Sequence, residues 1–222
     1  MPIFRDRKII YIHITKTAGS SIEAALGLNV NYVEDYYNRQ YLTHHFRHGG
    51  SKLEEVQHYT LQQYISKGLI SDNLANECFK FAFVRNPYDR CLSEWLYQMK
   101  MNKEKGWFAY RTTVLLKNSF DAFVKHLYDL YKKGKLNNRA HDRCQHLYIY
   151  NDGKQVVDYV GRFENIDEDW RIIREKIGLN CDLPHYNNGK KKAHYSQYYS
   201  ESNRKLVEEI YSDDLKLFGY QF

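Results

Sequence analysis

The chain has 222 residues, 43% of them hydrophobic and 27% charged, enough for one substantial core, and residues 1–222 are expected to form a single domain. The formal charge of +6 favours an anionic ligand or a surface kept basic for solubility, and charge alone does not separate the two. No apolar run approaches the roughly 18–20 residues of a membrane span, no signal-peptide pattern precedes Lys8, and Cys78, Cys91, Cys144 and Cys181 lack the spacing of a zinc or disulfide framework. A soluble protein of a reducing compartment, the cytoplasm, is the expectation, and nucleic acid is not expected as a partner.

Lys8 to Ile14 is apolar and β-branched enough for a strand buried on both faces. A tight loop with one lysine, Lys16, follows, and then a short helical pattern in which Ile22, Ala25 and Leu26 share a face. Ser20 or Ser21 is the expected cap of that helix. A strand that empties through small residues into a helix start makes an anion site, because backbone N–H groups converge there and the helix dipole adds partial positive charge. Lys16 adds a full one.

Asn29 to Ser51 has no period and is expected to be a long surface loop. It holds His44, His45 and His48, three histidines without Asp, Glu or Cys partners at ligand spacing, so no metal site is expected. Thr60 to Lys67 has the pattern of a short helix, with Thr60 as its cap, Gly68 as its stop and His58 just ahead. Lys80 to Arg85 is a second buried-strand pattern, ended by Asn86-Pro87. A helix carrying Cys91, Leu92, Trp95, Leu96 and Met99 follows. Arg85 therefore stands at a strand's C-terminal end, where open parallel sheets bind ligands. Cys91 is expected to be a small core hydrophobe.

Met101 to Arg111 is charged and irregular. Ser119 can cap a helix whose face is Phe120, Phe123, Val124, Leu127 and Tyr131 and which ends at Gly134. The basic run Lys132, Lys133, Lys135 and Arg139 that follows is either a solvated patch or a polyanion track. Val156 to Phe163 is a third strand pattern, and a helix opened by Asp167-Glu168-Asp169 runs to Ile177. Leu183 to Tyr199 is expected to be a loop, and Glu201 to Phe218 one amphipathic helix. Alternating strands and helices without repeats or linkers imply an α/β fold.

Three pieces would meet at one sheet edge: the Lys16 loop, Arg85 with Ser93, and Lys190, Lys191 and Lys192. All three suit anions, and they point to a ligand with phosphates at two places. The Lys16 loop is not a Walker A sequence, because no glycine leads it and no Walker B strand ends in Asp, so metal-dependent ATP hydrolysis is disfavoured.

His13-Ile14-Thr15-Lys16-Thr17-Ala18-Gly19-Ser20-Ser21-Ile22 resembles the 5′-phosphosulfate loop of PAPS-dependent sulfotransferases, in particular the carbohydrate group that includes heparan sulfate 2-O-sulfotransferase. Phe83-Val84-Arg85-Asn86-Pro87-Tyr88-Asp89-Arg90-Cys91-Leu92-Ser93 is similar to that group's 3′-phosphate motif. Val160 to Asn165 and Leu183 to Asn187 resemble its later segments. The resemblance covers nearly the whole chain, and both phosphate motifs stand in the family's order. It implies a P-loop-like three-layer fold, with a central, mostly parallel sheet flanked by helices.

The resemblance also implies roles. PAPS would be the co-substrate and PAP the product, and the sulfuryl group would pass in line to a hydroxyl, on a carbohydrate, without metal. Lys16 would stabilise charge on the leaving phosphate. Thr17, Ala18, Gly19, Ser20 and Ser21 would hold the 5′-phosphate, with the hydroxyls of Thr17, Ser20 and Ser21 able to donate, while Arg85 and Ser93 would hold the 3′-phosphate. His58 in His58-Tyr59-Thr60 matches the family's catalytic histidine, whose ordinary pKa near 6.5 suits proton abstraction. The family's second histidine, two positions upstream, is here Val56. His44, His45, His48 and Glu23 are competitors for the base, and Gln145 resembles a position near the active site and is expected to touch substrate. The alternatives are an inactive nucleotide- or polyanion-binding protein on the same scaffold, a sulfotransferase for a small phenol or alcohol, and a P-loop kinase. Oligomeric state is not legible.

Overall fold

The computed structural model describes residues 2–27, 56–104, 119–184 and 193–222. The chain divides into two compact units, the first formed by Met1–Val84 with Leu147–Asn187 and the second by Arg85–His146 with Asn188–Phe222.

The first unit is built on a four-stranded sheet of β1 (Ile3–Phe4), β2 (Ile9–Ile12), β3 (Phe79–Val84) and, last in the chain, the strand Tyr159–Arg162. They lie side by side in that order. β1 runs antiparallel to β2, while β2–β3 and β3–Tyr159–Arg162 are parallel, with Ile12 opposite Ala82 and Val84 opposite Arg162. Every residue of β2 is buried, as its unbroken apolar run requires of a parallel strand covered on both faces. One face packs Ile9, Tyr11, Phe81 and Phe83 against Ile22 and Leu26 of α1 (Gly19–Ala25 and its C-cap) and against Trp170 and Ile173 of the helix Ile166–Lys176. Gly161 is required where the last strand crosses Phe83: a Cβ there would lie 2.6 Å from the ring. Two short helices, α2 (Leu61–Ser66) and α3 (Asp72–Glu77), lead into β3. Thr60 caps α2 as expected and forms a reciprocal box with Gln63.

The second unit is helical. Its core joins Tyr88, Cys91 and Leu92 of α4 (Pro87–Glu104) to Phe120, Phe123, Val124 and Leu127 of α5 (Phe120–Lys132) and to Val207, Ile210 and Tyr211. Ser119 caps α5 by accepting from the Ala122 N–H at 3.2 Å. Tyr131, expected on its buried face, is 37% exposed. Burial pushes the Cys91 thiol up to about 12, which fits an inert core residue.

The expectations of a central, mostly parallel sheet and flanking helices hold, and the fold is P-loop-like α/β. Several boundaries differ. The strand expected over Val156 to Phe163 spans only Tyr159–Arg162, because a 3₁₀ turn, Phe163–Asn165, begins at its end. The first strand stops at Ile12, because the Ile14 N–H turns back onto the Ile12 carbonyl at 3.1 Å. α1 is capped by Ala18 in the left-handed conformation, with no side-chain cap, instead of by Ser20 or Ser21. α4 continues to Glu104, so the stretch expected to be irregular from Met101 begins helical. The final helix is two, Glu201–Ile210 and Ser212–Phe218, broken at Tyr211, whose buried hydroxyl donates to the Asp142 carbonyl at 3.2 Å. No described helix is long and apolar enough to cross a membrane. Lys190, Lys191 and Lys192, the histidines His44, His45 and His48, and the loop Asn29–Ser51 lie outside the described residues.

Candidate active site

The loop between β2 and α1 departs twice from the usual backbone. Lys16 has φ 66° and Ala18 φ 67°, while Thr17 between them stays at negative φ. Left-handed geometry in a residue with a Cβ costs on the order of 1–2 kcal/mol, and such residues gather at ligand sites. A backbone that alternates handedness turns successive N–H groups toward one point and makes an anion-binding concavity. Lys16 and Ala18 are thus bent into a conformation ordinarily left to glycine, without being glycine. Thr17 is fully buried and its hydroxyl donates to the Ile14 carbonyl at 2.8 Å, so it closes the loop and its proton is not offered to a ligand. Ser20 is exposed and Ser21 buried.

Beneath the loop lies a histidine that sequence reasoning did not single out. His13 is 8% exposed, and its Nδ1 is 2.7 Å from Oε1 of Glu23, itself 4% exposed, on α1. Its ring covers Gly19 so closely that a Cβ there would fall 1.7 Å from Nε2. Gly19 is thus needed for close approach, not for its φ. Glu23, a competitor for the base, is committed to His13. The spacing of Glu23 ten residues after His13 across a strand–loop–helix was the available signal, since it returns the carboxylate to the strand end.

His58 stands against His13, ring centroids 4.6 Å apart and edge to face. Its Nδ1 is 3.1 Å from the His13 carbonyl oxygen, which only accepts, so Nδ1 carries the proton and Nε2 presents the lone pair. The amide of Gln57 lies 3.1 Å from Nε2. Through His13 the structure brings together two residues the sequence singled out separately, His58 and the Lys16 loop, and ties Glu23 to both.

In the second unit, Arg85 leads into α4, where Asn86 accepts the Tyr88 N–H at 3.0 Å and so caps the helix. The Arg85 guanidinium holds Asp89, with Nε and Nη2 at 2.8 and 2.7 Å from Oδ2. Ser93 is half-buried on α4. Gln145, expected to touch substrate, is fully buried and gives both ends of its amide to the main chain of Arg85. Nearby, His146 Nδ1 is 2.7 Å from Oδ1 of the fully buried Asp214. Burial pulls this imidazole down, but the hydrogen bond and charge of Asp214, with Asp213, outweigh it and leave the pKa above 6.5.

A family model described as "Sulfotransferase family" matches residues 1–221. Over 105 residues the chain is 30% identical to a protein of Archaeoglobus fulgidus described as uncharacterized, a match covering 46% of this chain and 70% of that one. No solved structure matches.

Proposed function

The chain belongs to the sulfotransferase family, and from that premise we propose that it moves the sulfuryl group of PAPS to a hydroxyl acceptor, a carbohydrate by the resemblance of its motifs, without a metal ion. The observation that carries the donor assignment is the Lys16–Gly19 loop, with two left-handed residues that have side chains and a glycine pressed onto His13. Such a loop suits the 5′-phosphate of the donor, held by main-chain N–H groups.

PAPS supplies a sulfuryl group on a good phosphate leaving group, and the protein's work is positioning and charge stabilisation. Thr17 to Ser21 hold the 5′-phosphate by their N–H groups, with hydroxyl help from Ser20 and Ser21. Lys16 neutralises charge as the bond from sulfur to the phosphate oxygen breaks. A sulfuryl group carries less charge than a phosphoryl group, so one lysine and a ring of amides can replace a divalent cation. Arg85 and Ser93 are assigned to the 3′-phosphate, with Lys190 to Lys192 as further cationic contacts. As the acceptor oxygen bonds to sulfur, its proton passes to Nε2 of His58, which the His13 carbonyl keeps in the required tautomer. Gln57 yields its place at Nε2 to the acceptor hydroxyl.

Isothermal titration with PAP, with and without Mg²⁺, and with ATP·Mg²⁺ in parallel, tests the donor. PAP is expected to bind without the ion, and absence of binding or a strict Mg²⁺ requirement overturns the reading. Lys16→Ala should abolish transfer while leaving PAP binding measurable, since its role grows as the leaving group departs. An acceptor screen with radiolabelled PAPS identifies the hydroxyl.

A further inference from the structure

Cys144, His146 and Asp214 bring a thiol, an imidazole and a carboxylate within 4.8 Å of one another, the spacing of a metal cluster. The carboxylate already has other work. Asp214 Oδ2 accepts the Gln145 N–H at 2.8 Å, and Oδ1 accepts the His146 N–H at 2.8 Å besides facing Nδ1. Asp214 therefore fixes the backbone from which the Gln145 side chain departs.

That side chain does what a neighbouring strand would do. Val84 is the last residue of β3 in register with a partner strand, so the next residue, Arg85, would be left with an unpaired N–H and carbonyl. Gln145 Oε1 accepts the Arg85 N–H at 2.9 Å and Nε2 donates to the Arg85 carbonyl at 2.8 Å. At the other end of the same residue, Asp89 holds the guanidinium through Nε and Nη2. Arg85 is thus fixed at its main chain by Gln145 and at its head by Asp89, with side-chain exposures of 14% and 28% for Arg85 and Asp89.

We propose that Gln145 and Asp89 are positioning residues that aim Arg85 at the 3′-phosphate, so that the choice between nucleotides with and without that phosphate depends on two side chains that need not touch it. The inference rests on the assignment of Arg85 to the 3′-phosphate. Asp89 makes the idea sharp, because charge and geometry pull in opposite directions there. If the site worked by net charge, removing a carboxylate beside Arg85 would strengthen binding of the extra phosphate. If it works by aim, the same removal weakens it.

The experiment is calorimetric titration of PAP and 5′-AMP into wild type, Arg85→Ala, Gln145→Met and Asp89→Ala, with a thermal unfolding curve for each. The readout is the ratio of the two affinities. Arg85→Ala should collapse it, and Gln145→Met and Asp89→Ala should each lower it about ten-fold, through weaker PAP binding with 5′-AMP unchanged. A wild-type ratio in both positioning variants, or a higher one in Asp89→Ala, while Arg85→Ala still collapses it, overturns the inference and leaves the 3′-phosphate assignment standing. An unchanged ratio in Arg85→Ala overturns that assignment, and the inference with it. Should Gln145→Met fail to fold, Asp89→Ala decides alone, since its side chain is half-buried on α4 and belongs to neither apolar core cluster.

Discussion

Gly19 has no room for a side chain, because the His13 ring occupies the place where one would stand. Gly19→Ala must push that ring away from Glu23 or lift the start of α1, and overpacking of this kind costs about 1–3 kcal/mol. The expected outcome is a lower urea midpoint together with at least ten-fold weaker PAP binding, both measurable on the purified protein. Wild-type PAP affinity in Gly19→Ala would mean that His13 does not brace the loop. At this scale the sequence was most informative where chemistry comes from residue type and place. The places of Lys16, between a strand and a helix start, and of Arg85, just past a strand end, were legible because the flanking strand patterns fix them. The His13–Glu23 pair and the Gln145 clamp were not, because each depends on a long-range approach that leaves no period in the chain. A buried glutamine against a backbone has the same letters as an exposed one against solvent.

Among the elements, the helices with a cap in the sequence are the most legible. Thr60 and Ser119 both do what their side chains can do only at a helix start. The start of α1 is not legible in this way, because its cap is a strained alanine and not a serine. The C-terminal break is hidden for a different reason. Residues Glu201 to Phe218 keep a continuous amphipathic pattern, and the break falls at Tyr211, whose buried hydroxyl donates to the Asp142 carbonyl. That break gives the helix Ser212–Phe218 its own first turn, from which Asp214 reaches the backbone of Gln145 and His146. The raised pKa of His146 then predicts a pH effect of definite sign. The folded protein binds this proton more tightly than the unfolded chain, so the stabilisation is complete below about pH 6.5 and is lost as pH rises through the higher folded value. Urea unfolding of wild type and His146→Gln between pH 5.5 and 8.5 should show a stability gap that narrows with rising pH. A gap that widens would mean that Asp214 does not hold the charged imidazole.

At the scale of the whole chain, the two units are each made of two separated segments, and neither can be completed by one continuous stretch. The composition was a fair guide to burial, and the sheet and its flanking helices could be read from strand patterns alternating with helical ones. The division was not legible, since no linker, glycine run or charge shift marks Val84 to Arg85 or His146 to Leu147. The sheet depends on this segmented layout. The Lys80 N–H is capped by Asp158 from 78 positions away, and β3 gains its second parallel neighbour only there. Closing so long a loop has to precede the reward of pairing, which makes refolding slow relative to a helical protein of this size. It also gives synthesis an order. A ribosome that has released everything up to His146 has exposed β2 and β3 with one flank open, an edge able to pair with another chain. Nascent chains arrested before Tyr159 should therefore remain sensitive to brief proteolysis, and those extended past Lys176 should gain a protected fragment that contains β2 and β3. Protection in the shorter chains would mean that the sheet closes without its last strand. The parallel pairing that places the Lys16 loop in the finished protein thus also sets the moment at which the growing chain first ceases to be a risk to its neighbours.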